Sequence, residues 1–456
     1  MWRDGRFRWS AGLLLAILST SLATGWAHAA ATARLHQEAQ ETERQLSLAK
    51  GEMNPHAAAH YGAFVFKPIE PLTGLDPGID PYVGVAVFLE AHQQQLARHR
   101  PAEDATAVRR LGELSAATAL QVLVPLLIVM LTYPAFAGER EAGTLRQISS
   151  LGVGRLPLAV GKIAGALLPL AAVVVPATAI GVVAMRWSAP LGFDADAMAR
   201  TAWLAATYLA YFGIWATLGL AISAAATSSN AALTILVGVW FANCFVAPPL
   251  ASAVAQLREP SSSSVQFTIA LDEGRARLPR WDERVAAVEE RFLSGELDLR
   301  EGMPSNPEVI ALVEAERDET ALFDGLFGEL FAKFDRQALV FANAGWFAPR
   351  LALQQLSMGL AGTDYATHRR FVEATGRYRE EFVQTLNAEL TAYGSADTFD
   401  YTRGRDLWQR IPDFDYEPPT LAWSLAQHIT SATALATWLA AGSFVLAGAV
   451  RRMRID

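Results

Sequence analysis

His56 and His60 stand four residues apart in "PHAAAHYG", so a helix there places both imidazoles on one face. Two imidazoles at that spacing can share a transition-metal ion, and Glu90, His92 or Met53 could supply further ligands. Ala57 stands where a zinc protease needs its catalytic glutamate, which excludes that chemistry. Isolated histidine pairs more often pack, cap or hydrogen-bond. The preferred reading therefore assigns no metal, with His56, His60 and His92 as the candidates for one. No Ser/His/Asp or paired-carboxylate arrangement can be inferred from spacing alone.

Phosphate chemistry fails on the same terms. A phosphate-binding loop needs glycines and a Lys-Ser/Thr pair to cradle the phosphates. "AVGKIAG" offers Gly161 and Lys162, but Ile163 follows and Leu156 occupies the earlier glycine position. "LSGEL" at 293–297 has only a superficial likeness to an ATPase signature. No nucleotide cofactor is expected in this chain.

These residues must be positioned by a membrane protein. The chain has 456 residues, 52% of them hydrophobic and 18% charged, with mean hydropathy +0.20. Six apolar stretches, near 10–29, 114–137, 157–185, 201–226, 231–250 and 425–449, are long enough to cross a bilayer. The first reads as a retained signal anchor, the alternative being cleavage after "AHA" at 27–29. Arg3, Arg6 and Arg8 precede it, Arg451, Arg452 and Arg454 follow the last stretch, and Arg140, Arg146 and Arg155 lie in the 138–156 break. The positive-inside tendency then makes both termini and that break cytoplasmic. Segments 30–112 and 251–424 fall outside, the second with 18 Lys/Arg against 29 Asp/Glu. That balance, without a basic aromatic stripe, argues against nucleic-acid binding.

The spans are nearly free of mid-membrane charge, unlike ion-coupled pumps. Glu113, Lys162, Arg186 and Arg200 sit near helix ends, where long side chains can snorkel. Gln121 and Asn243 are the buried polar candidates, explained by interhelical hydrogen bonds. Trp26, Trp187, Trp203 and Trp423 fall near span ends, as an interfacial belt or as core residues. Cys244 is the only cysteine, so no disulfide or thiolate cluster supports the outer region.

"GEREAGTLRQ" at 138–147 interrupts the apolar pattern. Glu139 and Glu141 suit a helix start, Leu145 and Ile148 form a small apolar face, and "GVGR" ends the helix. The expected product is one short amphipathic helix over about 139–150. With Arg155, Gly161 and Lys162, this stretch resembles the coupling segment of ABC-2 type permeases. "LDPGIDPYVGVAVFLEAHQQQ" and "FAPRLALQQLSMGLAGTDY" look similar to a bacterial branch with a large extracytoplasmic insertion, whose members are described as multicopper-maturation-type permeases. The resemblance implies that Glu139, Arg140, Glu141, Gly143, Thr144 and Leu145 contact a separate cytoplasmic ATPase, which would itself bind ATP and Mg.

The expected fold class is an all-α polytopic membrane protein with six spans and a mainly helical extracytoplasmic domain. Its parts are 1–29 (tail and first span), 30–112, 113–250 (four spans with the 138–156 break), 251–424, and 425–456 (last span and tail). "PIEPLTGLDPGIDPYVG" should be an irregular platform with short strands. "FAPRLALQQLSMG" could lie on the membrane, at a subunit interface, or in the core. The function expected is an ABC exporter permease, paired with an ATPase, a second permease copy or relative, and membrane lipid. The alternative is an anchored assembly protein whose outer domain binds an envelope partner.

Overall fold

A computed structural model describes residues 5–95, 97, 100, 115–188, 194–296, 306–393 and 400–454. Arg3 and Glu113 lie outside the described residues, as do the side chains of Arg6, Arg186 and Trp187. Helix α1 (Gly5–Leu48) runs unbroken from the first apolar stretch into the charged segment beyond it. After it come α2 (Pro55–Tyr61), strand β1 (Ala63–Phe66) and strand β2 (Ala86–Leu89). The strands pair antiparallel, Ala63 opposite Leu89. Between them the platform holds a 3-10 turn at Pro71–Gly74 and one helical turn at Asp80–Val83.

The next helices are α3 (Ala116–Thr132), α4 (Ala137–Glu141), α5 (Thr144–Ser150), α6 (Arg155–Ser188), α7 (Ala195–Ala225) and α8 (Ser229–Phe241). A π turn (Ala242–Val246) joins α8 to α9 (Ala247–Arg258). Beyond them lie α10 (Ser264–Arg275), α11 (Trp281–Leu293), α12 (Pro307–Ala344), α13 (Pro349–Ala361) and α14 (Tyr365–Tyr393). Helices α15 (Leu421–Gln427) and α16 (Ile429–Arg452) complete the order. Among the described residues, six helices are long and apolar enough to cross a membrane: Arg8–Leu48, Ala116–Glu141, Arg155–Ala179, Ala195–Ala225, Ser229–Arg258 and Ile429–Arg452. This is an all-α polytopic membrane protein.

Side-chain caps start the helices where the sequence offers them. Ser115, Asp194, Ser228 and Thr420 each accept from a backbone N–H of the following first turn. Ser263, last but one of the serine run, closes a capping box with Gln266. The π turn has a local cause. Pro248 cannot donate to the carbonyl of Cys244 and its ring crowds that oxygen. Arg350 takes the freed carbonyl with its guanidinium, and Asn243 Oδ1 accepts from Arg350 N at 3.3 Å.

Helix α13, the "FAPRLALQQLSMG" segment, is a core helix. Leu351, Ala352, Leu353, Leu356 and Leu360 are buried, most of them in one cluster with Ile128, Tyr211, Trp215 and Leu435 of the spanning helices. The membrane-surface and subunit-interface readings of this helix are thereby replaced. The predicted polar pair joins the same network. Gln121 Nε2 donates to Tyr208 Oη at 3.3 Å, and Asn243 Nδ2 to Tyr211 Oη at 3.4 Å. Arg200 does not snorkel. It is 7% exposed, pairs with Asp196 at 2.5 Å, and donates to the Leu360 carbonyl and Ser424 Oγ. An arginine with acceptors at hand gains more from them than from stretching to water. Trp203 is exposed, whereas Trp423 lies under the Arg370 guanidinium and Trp26 packs on the core.

The two segments flanking α3–α9 fold together as a head domain. Val65, Val87 and Leu89 share a core with Phe323, Phe327, Phe331 and Phe371. The three α12 phenylalanines recur every four residues and stack along one face, with centroids 6.3 and 6.2 Å apart. A second core joins Ala58 and Ala59 of α2 to Phe382, Leu386 and Trp408.

Candidate functional site

Two constellations among the described residues are candidate sites. The first is the elbow between α3 and α6. Its expected single helix over 139–150 is in fact two, α4 and α5, broken at Gly143. Gly143 has φ +71°, a left-handed conformation that glycine adopts without strain, and it ends α4 before a new helix begins. Leu145 is fully buried with Phe136, Ala159, Leu220, Leu446 and Val450, so α5 packs onto the bundle by one residue. Ile148 is half-buried.

The charges of the elbow point back into the same chain. Arg140 donates to the carbonyls of Ala224 at 2.8 Å, Ala226 at 2.7 Å and Arg454 at 3.0 Å. The first two are carbonyls left over at the end of α7, where a cation also suits the helix dipole. Glu141 accepts from Ser229 N at 2.8 Å and from the Ser229 hydroxyl, at the start of α8, where an anion is favoured. Glu139 pairs with Lys162 at 2.6 Å, and Lys162 also lies 5.1 Å over the Phe136 ring. Arg155 reaches the Arg451 carbonyl at 2.6 Å. Adjacent motif residues therefore clamp the α7–α8 turn and tie α6 and the chain's last turn to it. Glu139 is half-buried and Glu141 exposed, and both are tied within the chain. Thr144 closes the break by donating to the Glu139 carbonyl at 3.2 Å. Exposed apolar side chains, Leu151 at 80% and Val153 at 42%, mark the tip.

The second constellation is in the head domain. Asn54 caps α2 through bonds from His56 N and Ala57 N, and the helix presents His56 and His60 on one face. His92, just after β2, completes a cluster. The Nε2 of His56 lies 3.2 Å from that of His60 and 3.3 Å from that of His92. His92 Nδ1 faces Glu319 at 2.6 Å and Glu316 at 3.0 Å. His56 Nδ1 lies 3.1 Å from Asn387 Oδ1. Burial pushes His56 down to about 4, and burial with the neighbouring His92 charge lowers His60. Burial opposes charging His92 too, but its two carboxylate partners outweigh this and raise it to about 9. Glu316, despite burial, is held at about 2 by His92 and Arg379. Of the other conceivable ligands, Glu90 is engaged by Gln95 and Met53 packs in the second core. Glu316, Glu319 and Asn387 carried no local signal in the sequence, because they come from α12 and α14, more than two hundred residues away.

Six helices long and apolar enough to cross a membrane, with a polar elbow braced to their ends, define a multi-pass membrane protein. A family model described as "ABC-2 family transporter protein" matches residues 2–272, more than half of the chain, so the protein belongs to that family. Residues 265–417, most of the second head segment, match a domain of unknown function, DUF3526. No curated protein and no solved structure matches. The chain is thus a multi-pass permease subunit of an ABC transporter, a transport component that is not itself catalytic. Permeases of this family generally work with a cytoplasmic ABC ATPase.

Proposed function

We propose that this subunit exports its substrate across a bacterial inner membrane, with both termini and the elbow cytoplasmic and the head domain outside. A separate ATPase, carrying ATP and Mg, docks on the elbow, and a second permease copy or relative completes the path. Lipid covers the remaining apolar helix faces, and the head domain offers the surface for an envelope partner. The observation that carries this reading is the bracing of the elbow. A push on α4–α5 is transmitted through Arg140, Glu139, Glu141 and Arg155 to the ends of α6, α7, α8 and α16 together. Interfaces packed this way respond as rigid bodies rather than by bending.

The test uses the exposed tip, whose substitution leaves the braces intact. Leu151→Asp with Val153→Asp should insert and accumulate normally but lose ATPase copurification and substrate-stimulated ATP hydrolysis. Wild-type copurification and hydrolysis in the double variant would refute docking at the elbow.

A further inference from the structure

We propose that His56, His60 and His92 bind one divalent transition-metal ion of the zinc class through their Nε2 atoms. The spacing is the first argument. A tetrahedral ion bound at about 2.0–2.1 Å holds its ligand nitrogens about 3.3–3.4 Å apart. Two Nε2 separations, 3.2 and 3.3 Å, are close to that value, and one nitrogen from each ring lies within 4.8 Å of the others.

The second argument is the direction of the lone pairs. Asn387 Oδ1 and the carboxylates of Glu316 and Glu319 can only accept, so the Nδ1 atoms of His56 and His92 carry the hydrogens. Metal binding displaces the proton that the two carboxylates favour on His92, and the Nε2 lone pairs of the three deprotonated rings then meet at the ion. A proton can bridge one of the two close pairs but not both, since His56 Nε2 offers a single lone pair. An ion takes all three. Carboxylate and amide acceptors behind imidazole ligands are what orients a metal-bound histidine.

Backbone strain is the third. His92 is the only non-glycine residue with positive φ among those described, at 58°. It is held there by its N–H to Glu316 at 3.2 Å and by Arg275, which donates to its carbonyl at 3.2 Å. Strain retained at three points of attachment marks a side chain that must occupy one place. Arg379 pins the other oxygen of Glu316 at 2.8 Å, so the acceptor cannot swing away. The site joins α2 and the segment after β2 directly, and α12 and α14 through their acceptors. His60 is on the exposed side, which leaves the fourth tetrahedral position open to water or an incoming ligand.

The experiment uses the full chain in nanodiscs, stripped with a chelator and titrated with Co²⁺, whose visible spectrum reports tetrahedral geometry. One equivalent per chain should bind with a tetrahedral spectrum, be displaced by Zn²⁺, and raise the Tm. His60→Ala, on the exposed face, should keep the metal-free Tm and weaken binding by more than about 100-fold; Glu319→Gln should weaken it by about 10–100-fold. His28→Ala should change neither. The proposal is overturned by substoichiometric Co²⁺, by a non-tetrahedral spectrum, or by affinity that survives both His60→Ala and Glu319→Gln.

Discussion

The elbow and the histidine centre lie at opposite ends of the molecule and use polar groups in opposite ways. In the elbow, residues adjacent in sequence diverge, each reaching the end of a different helix. In the histidine centre, rings and acceptors from distant segments converge on one point. Transmitting motion requires ties to several rigid bodies, whereas holding an ion requires donor atoms in one place. The two also differ in burial, and so in what their charges contribute to stability.

The largest contrast should appear in ion pairs. Lys67 and Asp80, in the head, are 1% and 7% exposed and pair at 2.6 Å, with the Gly362 carbonyl as a further acceptor. Asp80→Ala should cost about 3–5 kcal/mol by leaving a buried ammonium unpaired, with Lys67→Met plus Asp80→Leu recovering most of it. In the elbow, Lys162→Met should cost about 1 kcal/mol or less, since its partner Glu139 is 30% exposed. Thermal unfolding in detergent measures both. Equal losses would erase the distinction between the two ends.

Arg140→Ala comes next. It strips three charge-assisted bonds from carbonyls at 224, 226 and 454, and should cost about 2–3 kcal/mol. Hydrogen exchange should rise at the α7–α8 turn and in the last turn of α16, with the head unchanged. Exchange rising in the head as well would mean that the ends are not independent.

Gly143 sharpens the account of the elbow. An added Cβ would meet nothing within 4 Å, so Gly143→Val acts through its left-handed φ alone, costing about 1–2 kcal/mol. Asn tolerates that conformation, so Gly143→Asn should restore ATPase-coupled activity. If Asn is as impaired as Val, the ATPase approaches the glycine itself and strain is not the cause.

The smallest effect is in pH. Burial, then the Lys67 charge, lowers His368 to about 3, against Asp364, which raises it; His428 also contacts Asp364. The unfolded chain therefore takes up more protons between about 3 and 6.5, and stability should fall as pH falls through that window. His368→Gln should flatten the slope of Tm with pH in that range. An unchanged slope would exclude His368 as its source.

The fold class was legible because hydrophobicity is written locally: six apolar runs of helical length admit few solutions in a bilayer. The elbow motif was visible, yet its single-helix reading failed because Gly143 adopts a left-handed conformation that composition does not reveal. Arg200 was misjudged because its acceptors, the Leu360 carbonyl and Ser424, lie 160 and 224 residues away.

The sequence by itself determined which segments are apolar and that His56 and His60 share a face. Those properties depend on residues within one or two turns. Only the tertiary structure decided that α13 is core, that Arg140 and Glu141 clamp the α7–α8 turn, and that His92 joins the pair with Glu316, Glu319 and Asn387 behind it. These outcomes depend on contacts between segments far apart in the chain. A lone carboxylate or arginine carries no local mark of the carbonyl or imidazole it will meet once hydrophobic burial has brought the helices together.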